Sequence, residues 1–178
     1  MLEGKKVLTI VSKDYDDLEF FYPMIRLREE KATVLVAAEK AKTDYVGKYG
    51  LTIKSDLSFD DVNISEFDAL LIPGGWAPDY LRRIPKVIDF VKYMNKEKRV
   101  IGIICHAGWV LASADILEGV NVTSTPGIKD DLTNAKAIWH NIEAIKDGHI
   151  ISARRPPDLI YYLPLIIEVL CKGQILTL

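Results

Sequence analysis

Cys105 and His106 stand side by side in the stretch VIGIICHAGWVL, residues 100–111. A thiol next to an imidazole is a pair able to do nucleophilic chemistry. The apolar run before the cysteine reads as a buried strand, and the run after Ala107-Gly108 reads as a helix. Cys105 therefore falls at a strand-to-helix turn, the layout of a nucleophile elbow, and Gly102, Ala107 and Gly108 supply small residues where backbones crowd. The spacing is not G-x-S-x-G, because position 103 is Ile. A cysteine at a helix N-terminus is expected to have its thiolate favoured by the free N–H groups there. His106 would act as the base or hold the base in place. A lone cysteine is more often a small buried hydrophobe, but its place at this turn, with a histidine next, favours a nucleophile.

Two further segments belong on the same rim, because ligands in open α/β sheets bind beyond the carboxyl ends of the strands. PGGWAPD (73–79) follows a buried run, and the backbone N–H groups of Gly74 and Gly75 could face a developing oxyanion together with the N–H after the nucleophile. YDDLEFFYP (15–23) places Glu19 at the start of a helix. A carboxyl facing the Cys105 sulfur would be protonated when the thiol ionises, or would repel the thiolate. Asp16, Asp17 and Glu19 all suit a helix N-terminus equally well, so acidity by itself does not single out Glu19. His140 and His149 read as surface residues, and no Cys/His/carboxylate set has zinc-site spacing. No metal and no cofactor are expected.

The elements that must position these residues follow from hydrophobic pattern. The continuous apolar runs 6–11, 33–38, 68–75 and 99–104 read as strands buried on both faces. Helical patterns separate them at 16–31, 85–98 and 108–117, with Pro23 predicting a kink or a late start in the first. A short helix is expected at 127–135, a hairpin over 142–153 turning at Asp147-Gly148, and a C-terminal helix over 157–172 bent at Pro164. Strand and helix in alternation predict an α/β fold: a doubly wound, mostly parallel, flavodoxin-like sheet flanked by helices on both faces, forming one domain over 1–178.

The 178 residues are 49% hydrophobic and 27% charged, a globular balance, with a formal net charge of −2. No basic stripe is present, which argues against nucleic acid or an anionic membrane as partner. Two cysteines in a chain this apolar suit a reducing compartment. The short apolar run after Lys5-Lys6 meets Asp14, Asp16 and Asp17 with no cleavage site, and no run approaches bilayer length. The expected location is cytoplasmic.

The segments YDDLEFFYPMIRLREE, GKYGLTIKSDLSFDDVNISEFDALLIPGG, WAPD, IGIICHAGWVLASADIL, TSTPGIKDDLTNA and SARRPPDL occur in the order of the ThiJ/PfpI superfamily, of class I glutamine amidotransferase-like fold. The chain resembles its PfpI-type branch of intracellular cysteine peptidases and deglycases. The resemblance implies Cys105 as nucleophile, His106 as its catalytic partner and Glu19 as the glutamate that hydrogen-bonds the cysteine. It implies an oxyanion hole from the backbone of Gly75 and His106. An acidic residue from a neighbouring subunit is implied to complete the triad, and here that position is Asp79, where archetypal members carry Glu. Trp76 stands where Arg is common, and Thr125 where a tyrosine often lines the pocket, so both are expected to shape substrate binding.

Homodimers, and in some members homohexamers, are implied as well. Trp76, Tyr80 and the Phe20-Phe21-Tyr22 cluster are candidate interface anchors, although Phe20 to Tyr22 could equally be core. The expected function is a cysteine-dependent enzyme acting on carbonyl substrates, as peptidase, glyoxalase III or deglycase. The alternative is a non-catalytic stress sensor with an oxidisable Cys105. A glutaminase would need a downstream His-x-Glu pair, which His140-Asn141-Ile142-Glu143 does not match.

Overall fold

A computed structural model describes residues 1–172. The first half runs β1 (Lys6–Ile10), α1 (Asp17–Glu29), β2 (Thr33–Ala38), β3 (Asp44–Val46), β4 (Thr52–Lys54), β5 (Leu57–Ser58), β6 (Ala69–Ile72), α2 (Ala77–Leu81) and α3 (Pro85–Lys96). The second half runs β7 (Val100–Ile104), α4 (Gly108–Ser113), β8 (Asn121–Val122), α5 (Lys129–Asn134), β9 (Ile138–Trp139), β10 (Ala144–Asp147), β11 (Ile150–Ala153) and α6 (Leu159–Lys172).

Seven strands form the central sheet in the order β10-β11-β7-β6-β1-β2-β5, and β10 alone is antiparallel to its neighbour. The apolar runs without alternation are strands with both faces covered: every residue of β6 and of β7 is buried. Helices α1 and α6 pack together on one face and α3 with α4 on the other. This is the doubly wound, mostly parallel α/β architecture that the sequence predicts. At Gly102, in the middle of β7, a Cβ would lie 2.5 Å from both Leu71 Cδ2 and Tyr162 Oη. Glycine there lets α6 seat directly on the strand that ends at Cys105.

The chain leaves β1 in one direction, to β2 and β5, then returns to the other side of β1 as β6 and β7. The carboxyl ends of β1, β6 and β7 thus meet at the switch point, where a crevice is expected.

Several elements differ from their sequence-based expectation. Helix α1 starts at Asp17 and continues through Pro23 instead of starting late, with Phe20, Met24 and Leu27 buried along one stripe. The run 68–75 is a strand only over Ala69–Ile72, because Pro73, Gly74 and Gly75 leave the ladder to build the rim. WAPD opens the short helix α2. The hairpin of β10 and β11 pairs Asp147 with Ile150, so its two loop residues are Gly148, at φ +59°, and His149. Phe20 is core, whereas Phe21 and Tyr22 are half-buried against it. The hairpin β3–β4 and the pair β8–β9 carry too few apolar residues to show as strands in sequence.

Candidate active site

β7 is straight and buried up to Ile104, and the backbone then turns sharply at Cys105, whose φ is +59°. A non-glycine residue in the left-handed region is strained, and such strain persists where the surroundings over-determine it. The cysteine opens a turn of 3-10 helix, Cys105–Ala107, that leads into α4. Its Sγ lies 3.2 Å from His106 Nδ1. The thiol is partly accessible, at the crevice side of the rim.

The second contributor comes from the end of β6. A Cβ on Gly74 would lie 2.4 Å from Glu19 Oε2 and 2.6 Å from Cys105 Cβ, so only glycine leaves room for carboxyl and cysteine together. Gly75 is at φ +71°, and a Cβ there would run into the backbone of Asp14–Asp16 at 2.4–2.8 Å. That crowding is the close approach of the two rim loops: Tyr15 and Gly75 form an antiparallel bridge, and Trp76 N donates to Asp14 O at 2.8 Å. The N–H groups of His106 and Gly75 both reach the Cys105 sulfur.

The third contributor is the first turn of α1. Asp16 caps the helix, accepting from the N–H groups of Leu18 and Glu19. Glu19 is fully buried, and its Oε2 accepts from Gly74 N at 2.8 Å. The Cys105 thiol is close enough to interact with this carboxyl, yet Oε1 has no partner at hydrogen-bonding geometry among the described residues. Burial, and then the charge of Asp16, push Glu19 up to about 8, against the pull of the Gly74 N–H, Cys105 and Lys48. Burial therefore favours the neutral acid at pH 7.

The thiol departs from the expectation of a lowered pKa. Burial and the Glu19 carboxylate push Cys105 well up, and the N–H groups of His106 and Gly75 oppose that only in part. The physical reason is burial of the sulfur beside a second acid, which outweighs the two N–H groups that the turn aims at it. Thiol and carboxyl are a coupled pair that cannot both ionise. With Glu19 neutral, its push on the thiol disappears. The His106 imidazole is lowered from 6.5 by burial, with the Lys48 ammonium adding to it.

Two tryptophans flank that imidazole. The ring centroids of Trp76 and His106 are 5.3 Å apart and those of His106 and Trp109 are 5.0 Å apart. Trp76 is on the expected rim; Trp109 was not a sequence candidate, although its place three residues after His106, at the onset of a helix, is the spacing that stacks side chains. Asp79 lies on α2 and is ion-paired with Arg83 one turn on, so within the subunit its carboxylate is engaged there and not by His106. Thr125 precedes the turn into α5 and makes its hydrogen bonds with Ser124 and Ile128.

The expectation of two surface histidines is corrected. His140 and His149 are half-buried, with Nε2 at 2.8 Å from Asn121 Oδ1 and from Asn95 Oδ1 respectively. His149 and Lys98 help line a cleft of about 480 Å³ at the amino ends of β7 and β11, the opposite end of the sheet from Cys105. The reactive groups converge at the rim, which is the candidate site. Among the described residues no group of three or more His, Cys, Asp or Glu is gathered as metal ligands would be. Nor is any helix among them long and apolar enough to cross a membrane.

Comparison with known proteins decides the family. The model of the DJ-1/PfpI family matches residues 5–169. The chain belongs to the DJ-1/PfpI family. It is 40% identical over 165 residues to a deglycase of Pyrococcus horikoshii, covering 93% of this chain and 99% of that protein. It is 34% identical over 159 residues to the protein/nucleic acid deglycase 2 of Escherichia coli, covering 88% and 92%. Among solved structures, a two-domain Anabaena variabilis protein with DJ-1/ThiJ/PfpI-like and ferritin-like domains superposes with a TM-score of 0.91 at 33% identity. That match covers 93% of this chain and 48% of the larger one, so the chain spans about half of it.

Proposed function

We propose that the protein is a cysteine-dependent enzyme acting on reactive carbonyl compounds, a deglycase with glyoxalase III chemistry. The observation that carries the reading is the convergence on Cys105: a strained φ of +59°, His106 Nδ1 at 3.2 Å, and a buried Glu19 carboxyl held beside the thiol by Gly74 N. The names of the Pyrococcus and Escherichia relatives support the same class.

The thiol gives its proton to His106 as the sulfur adds to an aldehyde carbon of a 1,2-dicarbonyl compound. The resulting oxyanion is held by the N–H groups of Gly75 and His106. His106 returns its proton to that oxygen and takes the hydrogen of the attacked carbon as Glu19 protonates the neighbouring carbonyl oxygen, which gives an enediol. His106 then protonates the neighbouring carbon and Glu19 recovers a proton from the first oxygen, which leaves a 2-hydroxy thioester. Water hydrolyses the thioester to a 2-hydroxy acid and returns the thiol. The sequence adds one water overall and needs no external oxidant, since one carbon is oxidised as its neighbour is reduced. On a glycated amine the same attack takes place at the carbinol carbon with departure of the amine. Trp76, beside His106, forms part of the wall against which the substrate lies.

The chain also assembles with copies of itself. Leu18 and Ile25 leave an apolar stripe on the outer face of α1, beside the exposed Tyr49 and Leu51 of the β3–β4 loop, a surface suited to a subunit interface. Light scattering should give a mass of two or more chains.

The deciding experiment is turnover of methylglyoxal, a methylglyoxal-glycated amino acid and a fluorogenic peptide, by wild type and by Cys105→Ala. Lactate is expected from the first two substrates with wild type and only background with the variant, whose circular dichroism is unchanged. Turnover surviving in Cys105→Ala would overturn the assignment, and cleavage of the peptide alone would make the enzyme a peptidase.

A further inference from the structure

We propose that Trp76 and Trp109 are positioning residues for His106: the two indoles clamp the imidazole with Nδ1 toward Cys105, the task that a carboxylate fulfils in a hydrogen-bonded triad. The proposal rests on Cys105 and His106 being the reacting pair. A base next to a nucleophile needs a third group to orient it. Among the described residues of this subunit no hydrogen-bond partner stands at His106 Nε2, and the acidic residue on α2, Asp79, is paired with Arg83. What meets the ring is a pair of indoles, Trp76 at 5.3 Å and 31° and Trp109 at 5.0 Å and 46°. Rotation about the Cβ–Cγ bond of the histidine would drive the ring edge into one indole or the other.

Trp109 is held by its ring, and Trp76, which is 51% exposed, is held through its backbone. The Trp76 backbone is tied to Asp14 O at 2.8 Å, beside the Tyr15–Gly75 bridge. Trp109 Nε1 donates to Asp131 Oδ2 at 2.8 Å, and the Arg82 guanidinium lies over the Trp109 ring at 5.7 Å. Arg82 is anchored in turn, its Nε donating to Ser113 Oγ at 2.8 Å. The clamp therefore joins the β6–α2 turn, α2, α4 and α5. The titratable and charged groups around the imidazole are Cys105 and Glu19 on the thiol side, Lys48 from the β3–β4 loop, Arg82 and Asp131 beyond Trp109, and the Asp79–Arg83 pair on α2.

Two measurements test it. Trp76→Ala should lower kcat about 10- to 100-fold, the size of loss that a misplacement of about 1 Å brings, with KM moving less. Trp76→Phe, which keeps a ring on that side, should recover most of the rate. The second measurement needs no substrate. In a Trp139→Phe background the fluorescence of the two remaining indoles should titrate as the imidazole gains a proton and quenches them, with an inflection below 6.5 that His106→Gln abolishes. Adding Trp76→Ala should move that inflection up toward 6.5, because burial is the larger cause of the lowering. The clamp is overturned if kcat is unchanged in Trp76→Ala, or if no His106-dependent inflection exists. It is also overturned if Asp79→Asn costs more rate than Trp76→Ala and shifts the inflection down, as loss of a carboxylate partner does. If wild type turns over none of the carbonyl substrates, the proposed function fails while the fluorescence titration still decides the clamp.

Discussion

The two sides of the first turn of α1 each bury a carboxylate, to almost the same extent: Asp17 is 4% exposed and Glu19 is 2% exposed. Their surroundings differ in kind. Asp17 faces the β3–β4 loop and takes one N–H on each oxygen, from Tyr49 at 2.8 Å and from Leu51 at 2.7 Å. A Cβ on Gly47 would fall 2.5–2.7 Å from the same carboxylate, so the loop closes around it. Glu19 faces the crevice with one N–H on Oε2, the Cys105 thiol beside its carboxyl, and no partner on Oε1 among the described residues. A buried charge that is fully hydrogen-bonded is structure; a buried acid left half-satisfied is costly, and such a cost is retained where chemistry uses it. Position on the helix is shared, so what separates scaffold from site is the satisfaction of each oxygen.

Glu19→Gln probes the comparison from the reactive side and should have the largest effect. The amide keeps an acceptor for Gly74 N but can neither give up nor take a proton. kcat/KM on methylglyoxal should fall about 10²- to 10⁴-fold, the usual scale of general acid–base catalysis. A loss under fivefold would reduce Glu19 to a packing residue. The same variant should be more stable than wild type, and increasingly so with pH. The folded-state pKa of Glu19 is about 8 against an ordinary 4.5, so the folded protein holds a proton that the unfolded chain has lost. Wild-type stability from this group is complete below pH 4.5 and drains away as pH rises to about 8. Each unit is worth about 1.4 kcal/mol, so thermal melts of the two proteins at pH 5 and pH 8 should diverge by several degrees.

How far the sequence reveals this contrast depends on what each residue answers to. The strands at the rim are legible because burial on both faces forces continuous apolar runs, and Cys105, Gly74 and Gly75 follow from what lies past their ends, whereas Glu19 is singled out from its acidic neighbours only by the family resemblance. The family resemblance implies Cys105, His106, Glu19 and Gly75, and the fold brings these together with Gly74. The latch at Asp17 was hidden, because its partners are backbone N–H groups of a loop thirty residues away, and backbone donors carry no residue signature. The left-handed loop positions Gly50 and Gly75 were visible only as glycines. Trp109 was read as part of an apolar helix, and its contact with His106 depends on the turn geometry at Cys105. The direction of the thiol's shift is hidden for a related reason: how deeply the sulfur is buried, and that Glu19 faces it, are set by the tertiary fold.

Asp17→Asn probes the scaffold side, with an intermediate effect. One amide oxygen can serve one of the two loop N–H groups, and the amide nitrogen then faces the other donor. The variant should lose about 1–3 kcal/mol of stability, the cost of leaving a buried donor unpaired, and hydrogen exchange at Tyr49 and Leu51 should quicken. Its rate loss should be far smaller than that of Glu19→Gln. Equal losses of rate in both would mean that the latch is part of the chemistry and the comparison fails.

Asp16→Asn should have the smallest effect on stability and the most selective one on chemistry. Asparagine caps a helix as well as aspartate does, so the melting behaviour should change by less than about 0.5 kcal/mol. The charge, however, is the second cause holding Glu19 up, after burial, and it also raises Cys105. Removing it lets Glu19 ionise more readily, so the alkaline fall of kcat/KM, expected near 8 for wild type, should move to lower pH. A limb that stays in place would mean that the alkaline group is not Glu19. If instead the melt changed and the limb did not, Asp16 would belong with Asp17, on the side of the turn that holds the fold.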